Sequence, residues 1–338
     1  MKTELLRLNT EPIIKMKSHG DMEILIPLPG GTYQVEWVHS YGSEVFNPSL
    51  DRFRDYANGR PHELSGRHKF LMGITLIGVC PAKCYECPFG RTVMAQQYAN
   101  TPASELQFTK ARPISPLELQ SAFKYAKKVA LEKGILQIDE PFSAGALLAG
   151  DPSYSHFTAE LMEMVSNFPG CKGSRWSTIG AKKGPNVLAA MERGAKLANP
   201  NHRISIQVSL HSTRHTERVN HTGEETLFSM AEIKAASEKI TEITTRRLAL
   251  AFVLHDGSII EPEVLKQEFS PKSNVISLRP IYSTSTKPMD PERQVNLYSQ
   301  LRNDGWDVIY MPPNLTNGNN GNGNPIELDN MRSVRSFT

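Results

Sequence analysis

The chain has 338 residues, 39% of them hydrophobic and 22% charged, with a net charge of +3. That apolar content can fill a sizeable core, in one large domain with an appendage or in two modest ones. The mild basicity lacks the clear basic arm that a dedicated ribosome- or tRNA-binding enzyme would more often carry, and four cysteines argue against a disulfide-built secreted fold.

The N-terminus, Met1-Lys2-Thr3-Glu4-Leu5-Leu6-Arg7, has no apolar core of a signal peptide. No apolar run approaches the ~20 residues that span a bilayer, so the sequons at Asn220 and Asn314 read as incidental. A soluble cytoplasmic protein is expected, without a membrane partner.

Residues 1–69 read as an accessory segment. Ile24, Ile26 and Leu28 alternate with other residues, Pro29-Gly30-Gly31 marks a turn, and Tyr33, Val35 and Trp37 alternate again. Period and turn chemistry make this a β-hairpin, with Pro27 placing its strand at an edge or bulge. Residues 40–69 are polar and carry Arg52, Arg54, Arg60, Arg67 and Lys69; they read as a solvated loop or as a basic lip over a phosphate-bearing substrate.

From residue 70 strands and helices alternate. The first strand, 70–79, runs into Cys80-Pro81-Ala82-Lys83-Cys84-Tyr85-Glu86-Cys87. Three thiols at CxxxCxxC spacing on one short loop suit soft metals, iron–sulfur clusters and zinc. A structural zinc wants four ligands and an ordinary four-iron cluster four cysteines. The only other cysteine is the remote Cys171, in a Gly-Cys-Lys-Gly loop, where an idle thiol is expected. A three-legged cluster would leave one iron open to a small molecule. The alternatives are zinc completed by a histidine, or three core cysteines.

Residues 90–114 read as a long polar connection. Ser115-Pro116-Leu117-Glu118 then opens a helix with a cap, a proline at the first position and a capping box, and Gly134 stops it. Strands follow at 144–149, 175–179, 204–210, 248–254, 275–278 and 308–311, with helices at 154–167, 185–196, 225–240, 260–268 and 291–303. Six βα units in succession imply parallel strands with helices outside. The fold class is α/β, a partial (βα)6 TIM-like barrel over residues 70–312. Chemistry then belongs at the C-terminal strand ends. Residues 313–338, with an Asn-Gly tract at 317–324, form a low-complexity tail.

The cysteine loop resembles the signature of the radical S-adenosylmethionine (SAM) enzymes. The resemblance implies a [4Fe-4S] cluster on Cys80, Cys84 and Cys87, with SAM chelating the open iron. It also implies reductive cleavage of SAM to methionine and a 5′-deoxyadenosyl radical that removes hydrogen from a substrate. The residue before the third cysteine, usually aromatic in that superfamily, is Glu86 here.

Further motifs resemble the RlmN and Cfr group of RNA adenine methyl-synthases, in order over roughly residues 20–312. They are Leu148-Ala149-Gly150-Asp151-Pro152, Trp176-Ser177-Thr178-Ile179-Gly180, Val208-Ser209-Leu210-His211-Ser212 with Arg218, Phe252-Val253-Leu254-His255-Asp256-Gly257, and Leu278-Arg279-Pro280-Ile281-Tyr282. The resemblance implies SAM binding by Gly150, Asp151, Ser177 and Ser209, and substrate-facing roles for His211, His255, Arg279 and Tyr282. Each has a bland alternative: a turn glycine, a helix cap, satisfied core hydroxyls, packed histidines. Tyr282 replaces that group's asparagine. No cysteine follows Cys171, so the methyl-carrying thiolate of that group has no counterpart.

The expectation is a radical SAM enzyme abstracting hydrogen from a nucleoside or nucleotide-sugar. Tunicamycin-type nucleoside-antibiotic assembly is a concrete candidate, carbon–carbon coupling a candidate outcome, and flavodoxin or ferredoxin a candidate electron donor. The other readings are a radical SAM enzyme acting on RNA and a non-catalytic iron–sulfur redox protein.

Overall fold

The computed structural model describes residues 12–16, 22–28, 31–41, 45–58, 68–74, 76, 80–82, 84, 113–146, 150–280 and 287–311. The chain forms two compact units: residues 1–40, 69–206 and 222–226, and residues 41–68, 207–221 and 227–338.

In the first unit, β1 (Ile13–Met16), β2 (Met22–Leu28) and β3 (Gly31–Tyr41) make an antiparallel meander, with Ile24 opposite Val35 and Met22 opposite Trp37. The expected hairpin is therefore present, its alternating Met22, Ile24, Ile26, Val35 and Trp37 all buried. The Trp37 indole N–H donates to Ala126 O at 3.1 Å, and its ring meets Phe142 edge-on at 5.1 Å. The parallel strands are β5 (His68–Ile74), β6 (Phe142–Ala146) and β7 (Cys171–Thr178). Gly73 pairs with Gly145, and Ala146 with Trp176.

Helix α1 (Leu50–Ala57), numbered first in the chain, belongs to the second unit; α2 (Pro116–Glu132) lies in the first. The capping box at α2 is formed as its sequence predicts: Glu118 N–H donates to Ser115 Oγ, and Ser115 N–H to Glu118 Oε2 at 2.9 Å. Gly134 ends the segment at φ +70°, a conformation glycine adopts without steric cost. A 3₁₀ turn (Pro152–Tyr154) and α3 (Thr158–Ser166) follow β6, and α4 (Val187–Leu197) follows β7. Gly194 of α4 lets the two helices approach; a Cβ there would lie 2.8 Å from Met162 Sδ and 3.1 Å from Ala159 Cα.

Strand β8 (Arg203–Ser209) passes its last three residues to the second unit, where they pair in parallel with β9 (Leu248–Leu254). β9 pairs in parallel with β10 (Asn274–Pro280), and β10 with β11 (Val308–Tyr310). The helices of this unit after α1 are α5 (His215–Thr222), α6 (Met230–Thr244), α7 (Pro262–Glu268) and α8 (Pro291–Asn303). The element order is thus the six βα repeats of the partial-barrel class.

The differences from the sequence reading are local. Residues 45–58 are not only solvated loop: β4 (Val45–Phe46) pairs antiparallel with β11, and α1 buries Phe53 against Tyr298 at 4.0 Å and Tyr310 at 4.4 Å. Cys171 opens β7 rather than lying in a loop, and it is buried. Helix α5 forms in a stretch to which the sequence reading assigns no element. α6 starts at Met230, later than expected, because Ser229 and Glu232 make a second capping box. The connection at 90–112 and the tail at 313–338 lie outside the described residues. Among the described residues no helix is long and apolar enough to cross a membrane.

Candidate functional site

Two groups of expected site residues form, one in each unit. In the first unit, Cys80 and Cys84 are both buried. Burial, then the Asp151 carboxylate, push the Cys80 thiol up to about 11, while the nearby backbone amides of Ala82, Asp151 and Gly150 act the other way. Amides aimed at a cysteine sulfur stabilise the thiolate that a metal requires, and hydrogen bonds to sulfur tune iron–sulfur centres. The donor set therefore fits a soft metal centre. Cys87 lies outside the described residues; among those described, no three His, Cys, Asp or Glu side chains are grouped to hold a metal.

Gly150 has φ +97°, which a side chain would strain. It turns the chain so that its own amide and that of Asp151 meet Cys80. Asp151 Oδ1 accepts from Ser153 N–H at 2.8 Å and from Thr178 Oγ1 at 2.7 Å, and Oδ2 accepts from Ile179 N–H at 2.7 Å. The carboxylate thus caps the 3₁₀ turn and ties the end of β6 to the end of β7. Burial raises the Asp151 pKa, and the bonds from Ser153, Thr178 and Ile179 oppose that rise. Ser177 projects to the face of β7 opposite Trp176 and Thr178, and is half-buried.

Two neighbours went unread in the sequence. Tyr154 donates to Glu224 Oε1 at 2.6 Å, and Lys183 Nζ stands 3.6 Å from Glu224 Oε2. Burial first, then Glu224, raise the Tyr154 pKa, with the Cys80 and Asp151 charges contributing. Their signal was weak: Tyr154 falls at a helix start and Glu224 in a polar turn.

In the second unit, Ser209, His211, His255 and Arg279 come from the ends of β8, β9 and β10. Arg279 donates to Gln207 Oε1 at 2.5 Å, and Gln207 Nε2 reaches Ser209 Oγ at 3.5 Å. His211 has φ +61°, a left-handed conformation uncommon for a non-glycine residue. Its loop is clamped to the loop after β9: Ser212 Oγ donates to Ile259 O at 2.9 Å, and Arg214 pairs with Glu261 at 2.8 Å. The His211 ring stacks on His221 at 3.9 Å, and His221 stacks on His255 at 5.9 Å.

Burial lowers all three imidazoles. His211 is taken well below the usual range, with the positive charges of His221, Arg218, Arg279 and His255 adding. His221 falls to about 4, with His255 the second cause. His255 is lowered by burial and Arg293 and partly restored by Asp256. Gly257 N–H donates to His255 Nδ1 at 3.2 Å, so the neutral ring carries its proton on Nε2. Arg218 is buried and donates to Phe228 O at 2.8 Å.

His221 was not singled out by sequence reasoning. The available signal was its spacing: it lies one turn after Arg218, just before Gly223 at φ +65°, as a helix-end residue would. Tyr282 lies outside the described residues. Cys171 stays apart from both groups; burial pushes its thiol up to about 12, and His202 Nδ1 lies 3.3 Å from its carbonyl oxygen.

The architecture is that of the radical SAM enzymes as a fold. A radical SAM methyltransferase from Sphaerobacter thermophilus superposes with a TM-score of 0.61 at 16% identity, over 93% of this chain and 80% of that one. A spore photoproduct lyase with bound AdoMet and dinucleoside spore photoproduct is also similar: TM-score 0.39, 15% identity, 75% of this chain and 69% of that one. So is Streptococcus suis SuiB bound to S-adenosylmethionine: TM-score 0.41, 11% identity, 70% and 51%. Only the first likeness is close enough to fix the fold. No protein-family model and no curated protein matches the sequence.

Proposed function

We propose that this chain is a radical SAM enzyme that abstracts hydrogen from a small molecule, a nucleoside or nucleotide-sugar. The observation that carries the reading is the Cys80 sulfur: buried, in a CxxxCxxC motif with buried Cys84, and with the backbone amides of Ala82, Gly150 and Asp151 near it. Cys80, Cys84 and Cys87 would hold a [4Fe-4S] cluster, which when bound supplies the electron that cleaves SAM to methionine and a 5′-deoxyadenosyl radical.

The chain's own residues bind and orient. Gly150 keeps backbone close to the cluster loop, and the negative charge of Asp151 suits the SAM ammonium. The half-buried hydroxyl of Ser177 suits a ribose or carboxylate. His211, His255 and Arg279 would contact the substrate, and the sequence resemblance adds Tyr282 to them. Protein-thiol methyl transfer has no candidate carrier after Cys171 in these 338 residues. That favours hydrogen abstraction leading to coupling or rearrangement, as in assembly of a nucleoside natural product, with flavodoxin or ferredoxin as electron donor.

The test is anaerobic reconstitution, dithionite reduction and assay of 5′-deoxyadenosine from SAM, with wild type beside Cys84→Ala. Wild type should bind iron and make 5′-deoxyadenosine, and the variant should lose both. Zinc in place of iron, or equal product from the variant, would refute the reading. Turnover raised by nucleotide-sugars and not by RNA supports the substrate class, and the reverse result overturns it.

A further inference from the structure

We infer that His211, His221 and His255, with Arg279, form a subsite for a phosphate group of the substrate. This rests on the reading of the chain as a small-molecule enzyme and adds what that substrate must carry. Four elements contribute: the end of β8 (His211), α5 (His221), the end of β9 (His255) and β10 (Arg279), all in the second unit.

Three observations converge. The stack gathers three imidazoles, with centroids at 3.9 and 5.9 Å and planes inclined by 22° and 20°. The His211 Nδ1 atom is shielded from solvent and has no hydrogen-bond partner among the described residues. Buried polar atoms are nearly always satisfied, so an orphan nitrogen in this ring cluster points to a ligand. The surrounding charge is also one-sided. The charges of Arg218 and Arg279 act on His211 and that of Arg293 on His255, and the carboxylate acting on His255 is that of Asp256, itself 3.2 Å from Lys287.

Such a group favours a multi-oxygen anion. A phosphate offers acceptors to the ring N–H groups and to the guanidinium, and its second ionisation near pH 6 lies in the imidazole range. Alone, the half-buried rings stay neutral, because protonating one beside its stacked neighbours and the arginines is unfavourable. A bound dianion reverses that sign and raises the imidazole pKa values. Binding should therefore take up protons.

The test is isothermal titration of the purified full chain with inorganic pyrophosphate at pH 6.5, in two buffers of different ionisation heat. Wild type should bind with Kd below about 1 mM and take up protons. His221→Asn and Arg279→Gln should each weaken binding about tenfold or more, a loss of ~1.4 kcal/mol, and His221→Asn should remove most of the uptake. Near-UV circular dichroism checks that each variant folds, and His255→Gln substitutes for one that does not. Undetectable binding, unchanged affinity in the folded variants, or unchanged uptake in His221→Asn would overturn the subsite. The titration needs neither cluster nor SAM. Pyrophosphate binding at these residues without 5′-deoxyadenosine formation would sink the radical reading and keep the subsite, and the converse would sink the subsite alone.

Discussion

Acid should destabilise the second unit through His221 before its carboxylates titrate. Burial, then neighbouring His255, lower the His221 pKa from 6.5 to about 4. A group with a depressed folded pKa leaves stability intact above its unfolded value and removes it as pH falls towards the folded one, because the unfolded chain binds the proton first. The window is therefore pH 6.5 down to 4. Integrating the linkage relation from pH 8 to pH 5 gives a loss of about 2 kcal/mol from His221 alone. His211, shifted in the same direction, adds to it. The assay is urea unfolding at pH 8, 6 and 5 followed by tryptophan fluorescence, for which buried Trp306 reports on the same unit. His221→Asn will be less stable than wild type at pH 8 through lost packing, so the comparison is of slopes. Wild type should lose about 2 kcal/mol more than the variant between pH 8 and pH 5. Parallel pH dependences would refute the buried, neutral assignment of this ring.

The first unit supplies two further predictions. Gly194→Ala should lower the melting temperature: the new Cβ would meet Met162 Cβ at 2.9 Å and Ala159 Cα at 3.1 Å. Overpacking of about 1–3 kcal/mol there outweighs the ~1 kcal/mol that alanine gains over glycine in a helix, and a melt at or above wild type would contradict that balance. Asp151→Asn removes the anionic acceptor shared by Ser153, Thr178 and Ile179 and turns an amide N–H₂ towards at least one donor. A loss of about 1.5–3 kcal/mol is expected by chemical denaturation, and an unchanged midpoint would show that the carboxylate does not tie β6 to β7.

The sequence by itself determined the repeat and much of its punctuation. Leu248–Leu254 reads as a buried strand and is one, and Ser115, Pro116 and Glu118 start a helix where they stand, because caps, proline geometry and apolar period act within a few residues. The CxxxCxxC spacing likewise raises the expectation of a metal chemistry, since the spacing of three thiols is local to one stretch of chain. Only the tertiary structure decided what depends on distant partners. The Phe53 ring, in a stretch that reads as polar loop, is buried by Tyr298 and Tyr310. Asp151 finds Thr178 and Ile179, and Tyr154 finds Glu224, only because neighbouring parallel strands bring their ends together. His221 carries no motif; it gains meaning when α5 lays it between His211 and His255. Local propensity is written in spacing along the chain, whereas the charge state of a buried ring is set by whatever the fold packs around it, which no window of sequence contains.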